Sequence, residues 1–384
     1  MAVVMTILRA IFRFIREADM LLFLVSVTSA IYGLILINSV THNRSNEVSV
    51  QIGAFIIGVV LFILFSYVDI DIIADKSKLI FVFSILLIST LWVWGVGEGI
   101  GYGRGSWLRF GPIGIQPAEI VKVPFIIIIS HMIANFKERR TFNSLLSTIQ
   151  IAAVFSAFVG IVLFIAQDIG TGVVYFGIFV VVFFAGGAKL RWFLIGAAIL
   201  TLITPFVWEN FFRPDQQNRI LAPFIPEIID PTRRYQLWQP DLSVQAIATG
   251  GWTGQGLGYG RLTQTFGSIP AQHTDFIFSV AGEELGFLGC IAIIALLVTL
   301  IIRCVYVGIK SNNPLGMLVC MGMAALVFVH MFMNIGMALG IMPVIGVPLP
   351  FFSYGGSSIV TFFAAMGIVS GIKMRPKPVR FRNL

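Results

Sequence analysis

The chain has 384 residues, of which 57% are apolar and 11% are charged, and its net charge is +8. Because a soluble domain carries about a quarter charged residues, this composition excludes a water-soluble fold for most of the chain. The excess of Lys and Arg could indicate nucleic-acid binding, but in so apolar a chain it favours the positive-inside rule of membrane proteins, and we expect no nucleic-acid partner.

Ten apolar stretches approach the roughly 20 residues that a helix needs to cross the hydrocarbon core. We therefore predict an all-α, polytopic integral membrane protein with about ten transmembrane helices. The first stretch lacks a small-residue cleavage pattern after it, so we expect no cleaved signal peptide. The predicted spans lie near residues 20–38, 51–68, 79–96, 120–135, 149–167, 171–187, 192–208, 276–302, 316–342 and 352–372.

The basic residues predict the orientation of these spans. Most of them precede span one, follow an even-numbered span or end the chain, as in the clusters at 137–140 and 373–382. If the helices alternate, these clusters share one side, which the positive-inside rule places in the cytoplasm together with both termini. The loop of residues 209–275, between helices seven and eight, is then extracytoplasmic. It is too long for a simple connection and indicates substrate handling on the outer face.

Glu119 and Lys122 stand three residues apart at the start of the fourth span, so they share one face of a helix. Two interpretations stay open. The side chains form an ion pair that secures the helix, or Lys122 and the preceding Arg109 receive an anionic head group.

Asp168 lies between spans five and six with almost no loop on either side. Its carboxylate either caps the helix that begins near Gly170 or faces an internal polar site. The residues alone favour the cap.

Asp275 opens the eighth span, where a carboxylate is favoured in the first helical turn and where a base would meet a lipid head group. His273 and Asp275 together supply two metal ligands, which are too few to predict a metal site. Glu283 and Glu284 follow about two turns later, and as buried acids they are expected to be functional or internally paired.

Three further features have structural interpretations. The glycine-rich run 250–261 lacks the Lys-Ser/Thr ending of a phosphate loop, so a flexible outer loop is predicted. The proline-rich run 343–358 predicts a bent, non-helical turn, with a role in a substrate groove left open. His131 and His330 stand alone in apolar runs and are expected to be satisfied interior histidines.

Five motifs follow one another along the chain. They are Ser106-Trp-Leu-Arg109 with Gln116-Pro-Ala-Glu119-Ile-Val-Lys122, then Gln167-Asp168-Ile-Gly-Thr, then Ala246-Ile-Ala-Thr-Gly-Gly251, then Pro270-Ala-Gln-His-Thr-Asp275-Phe-Ile-Phe, then Gly346-Val-Pro-Leu-Pro-Phe-Phe-Ser-Tyr-Gly-Gly-Ser-Ser. In this order they resemble the SEDS family (shape, elongation, division and sporulation) of bacterial peptidoglycan polymerases. The likeness covers essentially the whole chain, so a single domain is expected over residues 1–384. Two departures are the order Trp107-Leu-Arg109 and the absence of a proline between Gln167 and Asp168.

The resemblance implies an inverting glycosyltransferase that polymerises lipid II into glycan strands at the outer face of the bacterial cytoplasmic membrane. It implies that Asp275 is the general base on the acceptor 4-hydroxyl. It further implies that Arg109 and Lys122 neutralise the diphosphate, with Glu119 orienting Lys122. A divalent cation, Mg²⁺ or Mn²⁺, could help there, although no ligand set in the sequence requires one. The substrate-binding candidates are Arg109, Glu119, Lys122, Asp168, Arg233, Arg234, His273 and Ser357.

Within the family, the short N-terminal arm and compact C-terminal tail are more similar to the elongation branch (RodA-like) than to the division branch (FtsW-like). The resemblance implies two kinds of partner, undecaprenyl-diphosphate-linked glycans and a class B penicillin-binding protein that acts as transpeptidase. Two rival functions remain. A lipid II flippase would need polar groups through the membrane midplane and access from both sides. A non-catalytic scaffold would tolerate the loss of Asp275.

Overall fold

The computed structural model describes residues 14–41, 45–97, 105–111, 113–265 and 269–375. The predicted cytoplasmic residues Arg9, Arg13, Lys377, Arg380 and Arg382 lie outside these ranges. The described helices are α1 (Met20–Val40), α2 (Ser45–Tyr67), α3 (Ile70–Asp75), α4 (Ser77–Ser89), α5 (Leu91–Trp94), α6 (Pro117–Ile120), α7 (Lys122–Glu138), α8 (Leu145–Ile161), α9 (Ile169–Ala185), α10 (Leu190–Asn210), α11 (Pro214–Leu221), α12 (Pro226–Ile229), α13 (Trp238–Gly250), α14 (Ile277–Lys310), α15 (Pro314–Ala338) and α16 (Gly356–Met374).

Two short elements complete the described secondary structure. A π-helix over Val162–Ala166 extends α8. Strands β1 (Leu108–Phe110) and β2 (Ile113–Ile115) form an antiparallel hairpin in which Arg109 lies opposite Gly114.

In the described part of the chain, nine helical segments are long and apolar enough to cross a membrane, and α9, with 17 residues, is slightly shorter. Each of the ten predicted spans coincides with one of these segments. The predicted all-α, polytopic membrane fold is confirmed. The number of crossings and their orientation stay predictions. Five predicted boundaries are wrong by four residues or more. Spans two, five and ten begin at Ser45, Leu145 and Gly356, and spans eight and nine end at Lys310 and Ala338, so the turn before the tenth span covers residues 339–355.

Burial separates a central group of helices from a peripheral one. Most residues of α7, α15 and α16 are buried, whereas no residue of α10 is buried. Helix α16 packs closely against α2, where a Cβ added to Gly367 would lie 2.5 Å from the carbonyl oxygen of Phe62. Such close approach of the backbones at a glycine stabilises helix pairs in lipid, where the hydrophobic effect contributes little to helix association.

An ion-pair cluster marks one end of the bundle. The buried carboxylate of Asp19 accepts a hydrogen bond from Arg303 Nε at 2.7 Å and lies 3.7 Å from Lys373 Nζ. The guanidinium group of Arg375 donates to the carbonyl oxygen of Tyr67, where α2 ends. These cations therefore share one end of the bundle, as the alternation of spans predicts.

Helix α14 is broken at Gly286, which has φ 69° and ψ −163°. The glycine-rich run fills the break, because Phe287 N donates to Gly251 O at 2.8 Å and Gln255 N donates to Glu283 O at 2.9 Å. The run is thus hydrogen-bonded to the broken helix α14, and the prediction of a flexible outer loop is wrong. The physical reason is that a helix break frees backbone groups that must find partners where water is scarce.

The acids beside the break are paired internally, which is one of the two alternatives expected for them. Both are fully buried. Glu283 accepts hydrogen bonds from the backbone N–H groups of Leu262 and Thr263, each at 2.8 Å. Glu284 accepts one from Gln264 Nε2 at 2.6 Å. The two carboxylates therefore hold the segment 258–265 against α14.

We predict that Gly254→Ala destabilises the protein far more than Gly258→Ala. Both glycines have φ +79°, so alanine costs about 1–2 kcal/mol of backbone strain at either position. Only at Gly254 does the added Cβ clash, at 2.2 Å from Glu284 O, whereas nothing lies within 4 Å at Gly258. Thermal unfolding in detergent measures the difference. Equal melting temperatures for the two variants would contradict the packing described here.

Candidate active site

The polar end of the bundle opposite the Asp19 cluster is assembled by four segments that are distant in sequence. Gln116, which precedes α6, donates its backbone N–H to Ser357 Oγ at 2.9 Å and its Nε2 to Asp168 Oδ2 at 2.7 Å. Tyr354 N donates to His273 O at 2.8 Å. The β-hairpin, the start of α9, the segment before α14 and the turn 339–355 therefore meet at one place.

The peptide group of Asp275 is held at this place by the side chain of Asn334 on α15. Its carbonyl oxygen accepts a hydrogen bond from Asn334 Nδ2 at 2.9 Å, and the same Nδ2 donates to Val347 O at 2.8 Å. The carboxylate lies towards Gly346, where an added Cβ would stand 3.9 Å from Asp275 Oδ2. Asn334 thus clamps the partly exposed Asp275 to the turn, beside a residue that has no side chain.

The same turn separates Asp275 from Asp168. Gly170, two residues after Asp168, packs so closely that an added Cβ would lie 2.2 Å from Ile345 O. Residues 345–347 are therefore in contact with the start of α9 on one side and with Asp275 on the other. The structure brings the two predicted carboxylates to one end of the bundle, with the turn between them.

Asp168 caps α9, as the sequence favoured. Its Oδ1 accepts from Thr171 N at 2.8 Å, and its Oδ2 accepts from Thr171 Oγ1 at 2.8 Å. Because Gln116 also donates to Oδ2, the carboxylate joins the cap to the segment that carries Glu119. Asp168 therefore links Gln116 to α9 in addition to capping the helix, and its role in a substrate site stays a prediction.

Lys122 and Glu119 form the predicted ion pair, and both side chains are buried. Lys122 Nζ also lies 3.0 Å from His330 Nε2. Glu119 Oε2 is buried and has no hydrogen-bond donor among the residues that the structure describes. The Lys122 side chain is fully buried, so the pair secures the bundle from within.

Arg109 differs from Lys122 in being exposed, on strand β1. The hairpin that carries it is fixed by Ser357, whose Oγ lies 3.4 Å from Gly114 O. The structure therefore brings Arg109 and Ser357 to the polar end, but it places one predicted cation at the surface and the other inside the bundle.

Arg233 and Arg234 lie in a turn organised by Asp230. The buried Asp230 carboxylate accepts backbone N–H groups from Arg234 at 3.2 Å, Tyr235 at 3.0 Å and Leu237 at 3.1 Å. Burial raises the pKa of Asp230, but these N–H groups together outweigh it and hold the pKa below its ordinary value. The guanidinium group of Arg233 is bidentate on Asp241, which raises the pKa of Arg233. Of the two predicted arginines, Arg233 is thus already paired, while the Arg234 side chain is exposed.

His273 lies between Glu47 and Tyr354. Its Nε2 is 3.7 Å from Glu47 Oε2, and its ring centroid is 5.5 Å from that of Tyr354. It therefore helps to fix the segment before α14 against the turn 339–355.

The family model of the FtsW, RodA and SpoVE proteins, described as cell cycle proteins, matches residues 16–377 of this chain. The chain belongs to this family.

Curated relatives agree with this assignment. The chain is 33% identical to the probable peptidoglycan glycosyltransferase FtsW of Geobacter metallireducens, over 76% of each chain. It is 30% identical to the peptidoglycan glycosyltransferase MrdB of Escherichia coli, over 94% of each chain. The SEDS resemblance is confirmed, and the chain is an enzyme, a peptidoglycan glycosyltransferase and multi-pass protein of the inner membrane.

Solved structures show the same fold. One chain from a structure entitled "Structural coordination of polymerization and crosslinking by a peptidoglycan synthase complex" has a TM-score of 0.78 and 26% identity, and the match covers 94% of this chain and 98% of that one. The Thermus thermophilus rod shape determining protein RodA has a TM-score of 0.66 and 23% identity, over 93% of this chain and 96% of RodA.

The sequence assigns no place in the site to three residues that the structure puts there. Gln116 belongs to a motif, His330 is expected to be a satisfied interior histidine, and Asn334 lies within the predicted span 316–342. Their partners are far away in sequence, so only Gln116, directly before Pro117 at a helix start, offered a local signal. Asp230, which precedes Pro231, offered a comparable turn signal.

We predict that Asp230→Ala loosens the turn 231–237 at neutral pH without unfolding the bundle. The pKa of Asp230 is lower in the folded protein than in the unfolded chain, so its carboxylate stabilises the turn fully at neutral pH. This stabilisation is lost only when the pH falls below about 4. Hydrogen–deuterium exchange of the backbone amides of residues 231–237 measures this loosening. Asp215→Ala, an exposed loop acid 3.5 Å from Arg213, is the matched control. Unchanged exchange in the Asp230 variant would refute this role.

Proposed function

We propose that this chain polymerises lipid II at the extracytoplasmic face of the membrane and that Asp275 is the general base. The observation that supports this most is the position of Asp275, a partly exposed carboxylate whose peptide is clamped by Asn334 at the polar end of the bundle. A base that takes a proton in the transition state needs such a fixed position, and positioned bases contribute roughly 10²–10⁴-fold in rate.

The reaction at this position is a glycosyl transfer. The acceptor 4-hydroxyl attacks the anomeric carbon of the donor, and its proton passes to the Asp275 carboxylate. The bond from the anomeric carbon to the diphosphate oxygen breaks, undecaprenyl diphosphate leaves, and the new β-1,4 link has inverted configuration. Negative charge grows on the departing diphosphate, so nearby cations accelerate the step.

Two kinds of cation are available for the diphosphate. Arg109 is exposed on the hairpin, and Arg234 is exposed in the outer loop, so both side chains can reach a lipid head group. Lys122 acts from inside the bundle as a fixed positive charge, with Glu119 as its counter-ion and Asp168 within electrostatic range. Ser357 and His273 fix the hairpin and the segment before α14 around them.

A divalent cation, Mg²⁺ or Mn²⁺, is part of this proposal only as an additional source of charge neutralisation at the diphosphate. Among the described residues no three His, Cys, Asp or Glu side chains converge. Diphosphate oxygens and water would therefore supply most of its ligands.

The flippase alternative is less well supported than surface chemistry. Asp168, Asp275 and Arg109 gather at one end of the bundle, while the buried Lys122 is neutralised by Glu119. A transporter would need a polar path that continues to the other end. A non-catalytic scaffold would give no reason to clamp Asp275.

The biological role that we propose is cell elongation in partnership with a class B penicillin-binding protein. The match to MrdB covers 94% of both chains, whereas the match to the Geobacter FtsW covers 76%. The partner is supported by the similarity to a chain from a complex that joins polymerisation to crosslinking. The septal role of the division branch is the alternative.

We predict that Asp275→Asn lowers the turnover of lipid II by about 10²–10⁴-fold, because the amide cannot take the hydroxyl proton. Labelled lipid II in detergent, with the products separated by length, measures the turnover. Asp75→Asn, an exposed acid at the end of α3, is the control and retains activity. Polymer at the normal rate from the Asp275 variant would remove Asp275 as the base. Lipid movement in vesicles without polymer would favour the flippase.

We predict that the chain restores rod shape to Escherichia coli cells depleted of MrdB but not division to cells depleted of FtsW. The reason is that the match to MrdB extends over nearly the whole of both chains. Cell length and width under depletion measure the outcome. Rescue of division alone would assign the septal role.

A further inference from the structure

His330 is fully buried in the middle of the bundle, on helix α15. Its ring lies edge-on to Phe362 of α16, with 5.1 Å between the centroids. The imidazole therefore has a fixed orientation, and its two nitrogen atoms have different partners.

The two partners determine where the imidazole proton is. Nδ1 lies 2.8 Å from Leu326 O, and a carbonyl oxygen can only accept, so Nδ1 carries the proton. Nε2 lies 3.0 Å from Lys122 Nζ, and an ammonium group can only donate, so Nε2 is the bare acceptor. The geometry thus requires a neutral imidazole in a single tautomer next to a charged lysine.

This arrangement gives the Lys122 ammonium group two acceptors instead of one. Glu119 Oε1 accepts on one side and His330 Nε2 on the other. Without His330, one N–H of a fully buried ammonium group would lose its partner, which is costly inside a bundle. Lys122 would then keep only the contact with Glu119.

Helix α15 also connects this lysine to Asp275. Asn334 lies one turn after His330 on the same helix, and it clamps the Asp275 peptide. A single rigid element therefore holds the buried cation with one side chain and the proposed base with another. The positions of these two groups matter, because moving a group at an active site by about 1 Å costs up to ~10²-fold in rate.

We propose that His330 is a positioning residue of the glycosyl transfer, which holds the Lys122 ammonium group between Glu119 and α15, the helix whose Asn334 clamps Asp275. This inference rests on the proposed function. It assigns to His330 no contact with the substrate.

The test compares two variants of His330 in the lipid II assay. His330→Leu removes the acceptor, and we expect kcat to fall about 10- to 100-fold with KM changed less than about threefold. His330→Gln offers an amide oxygen to Lys122, and we expect it to restore kcat to within about fivefold of wild type. His131→Leu is the matched control with normal activity, since His131 is bonded to Asn135 within α7.

Melting temperatures of the detergent-solubilised variants separate positioning from folding. If His330→Leu does not fold, His330→Met replaces it, because methionine fills irregular space without offering a strong acceptor. Full kcat in the folded Leu or Met variant would overturn the proposal. Equal losses in the folded Leu and Gln variants would also overturn it.

A spectroscopic measurement tests the proposal without activity. In protein labelled with ¹⁵N-histidine, assigned by loss of the His330→Gln signal, we expect a protonated Nδ1 and a bare Nε2 at neutral pH. Lys122→Met should move the Nε2 resonance. An imidazolium signal, or no response to Lys122→Met, would contradict the contact. If wild type shows the expected signals but makes no polymer, the proposed function fails and the contact stands.

Discussion

A lysine ammonium group buried in an apolar helix bundle must be paired, and the rest of the site follows from the way in which Lys122 is paired. Glu119 neutralises the charge from the same helical face, and His330 supplies a second acceptor from α15. The pair ties the start of α7 to the centre of the bundle. The hairpin before it and the Asp168 cap are attached through Gln116. The paired charge of Lys122 inside the bundle is thus connected to segments that are distant in sequence.

The two ends of the bundle use their polar groups differently. At the Asp19 end, the cations Arg303 and Lys373 meet one buried carboxylate, and the contacts join helix ends. At the other end, backbone groups dominate, because the turn 339–355 and the broken α14 leave N–H and C=O groups that need partners. Glu283 and Asn334 supply these partners. Non-helical backbone is stable at this depth because protein, rather than lipid, surrounds it.

The sequence predicted those parts of the site that depend on short spacings. Ten apolar stretches gave the spans, three-residue spacing gave the Glu119–Lys122 pair, and the position of Asp168 before a helix gave the cap. It could not predict contacts across long separations. His330 meets Lys122 over 208 residues, and Asn334 meets Asp275 over 59. Nor could it show the break at Gly286, because a glycine in an apolar stretch is equally typical of close helix packing.

The central claim is that the clamped carboxylate faces the extracytoplasmic space. The most direct measurement is cysteine labelling at Thr274, a partly exposed residue next to Asp275, with a membrane-impermeant maleimide on intact spheroplasts. The native cysteines are buried, so background is low. The account predicts that Thr274→Cys is labelled from outside, whereas Lys310→Cys, at the end of α14 that carries Arg303, is labelled only after permeabilisation. The reverse pattern would contradict it.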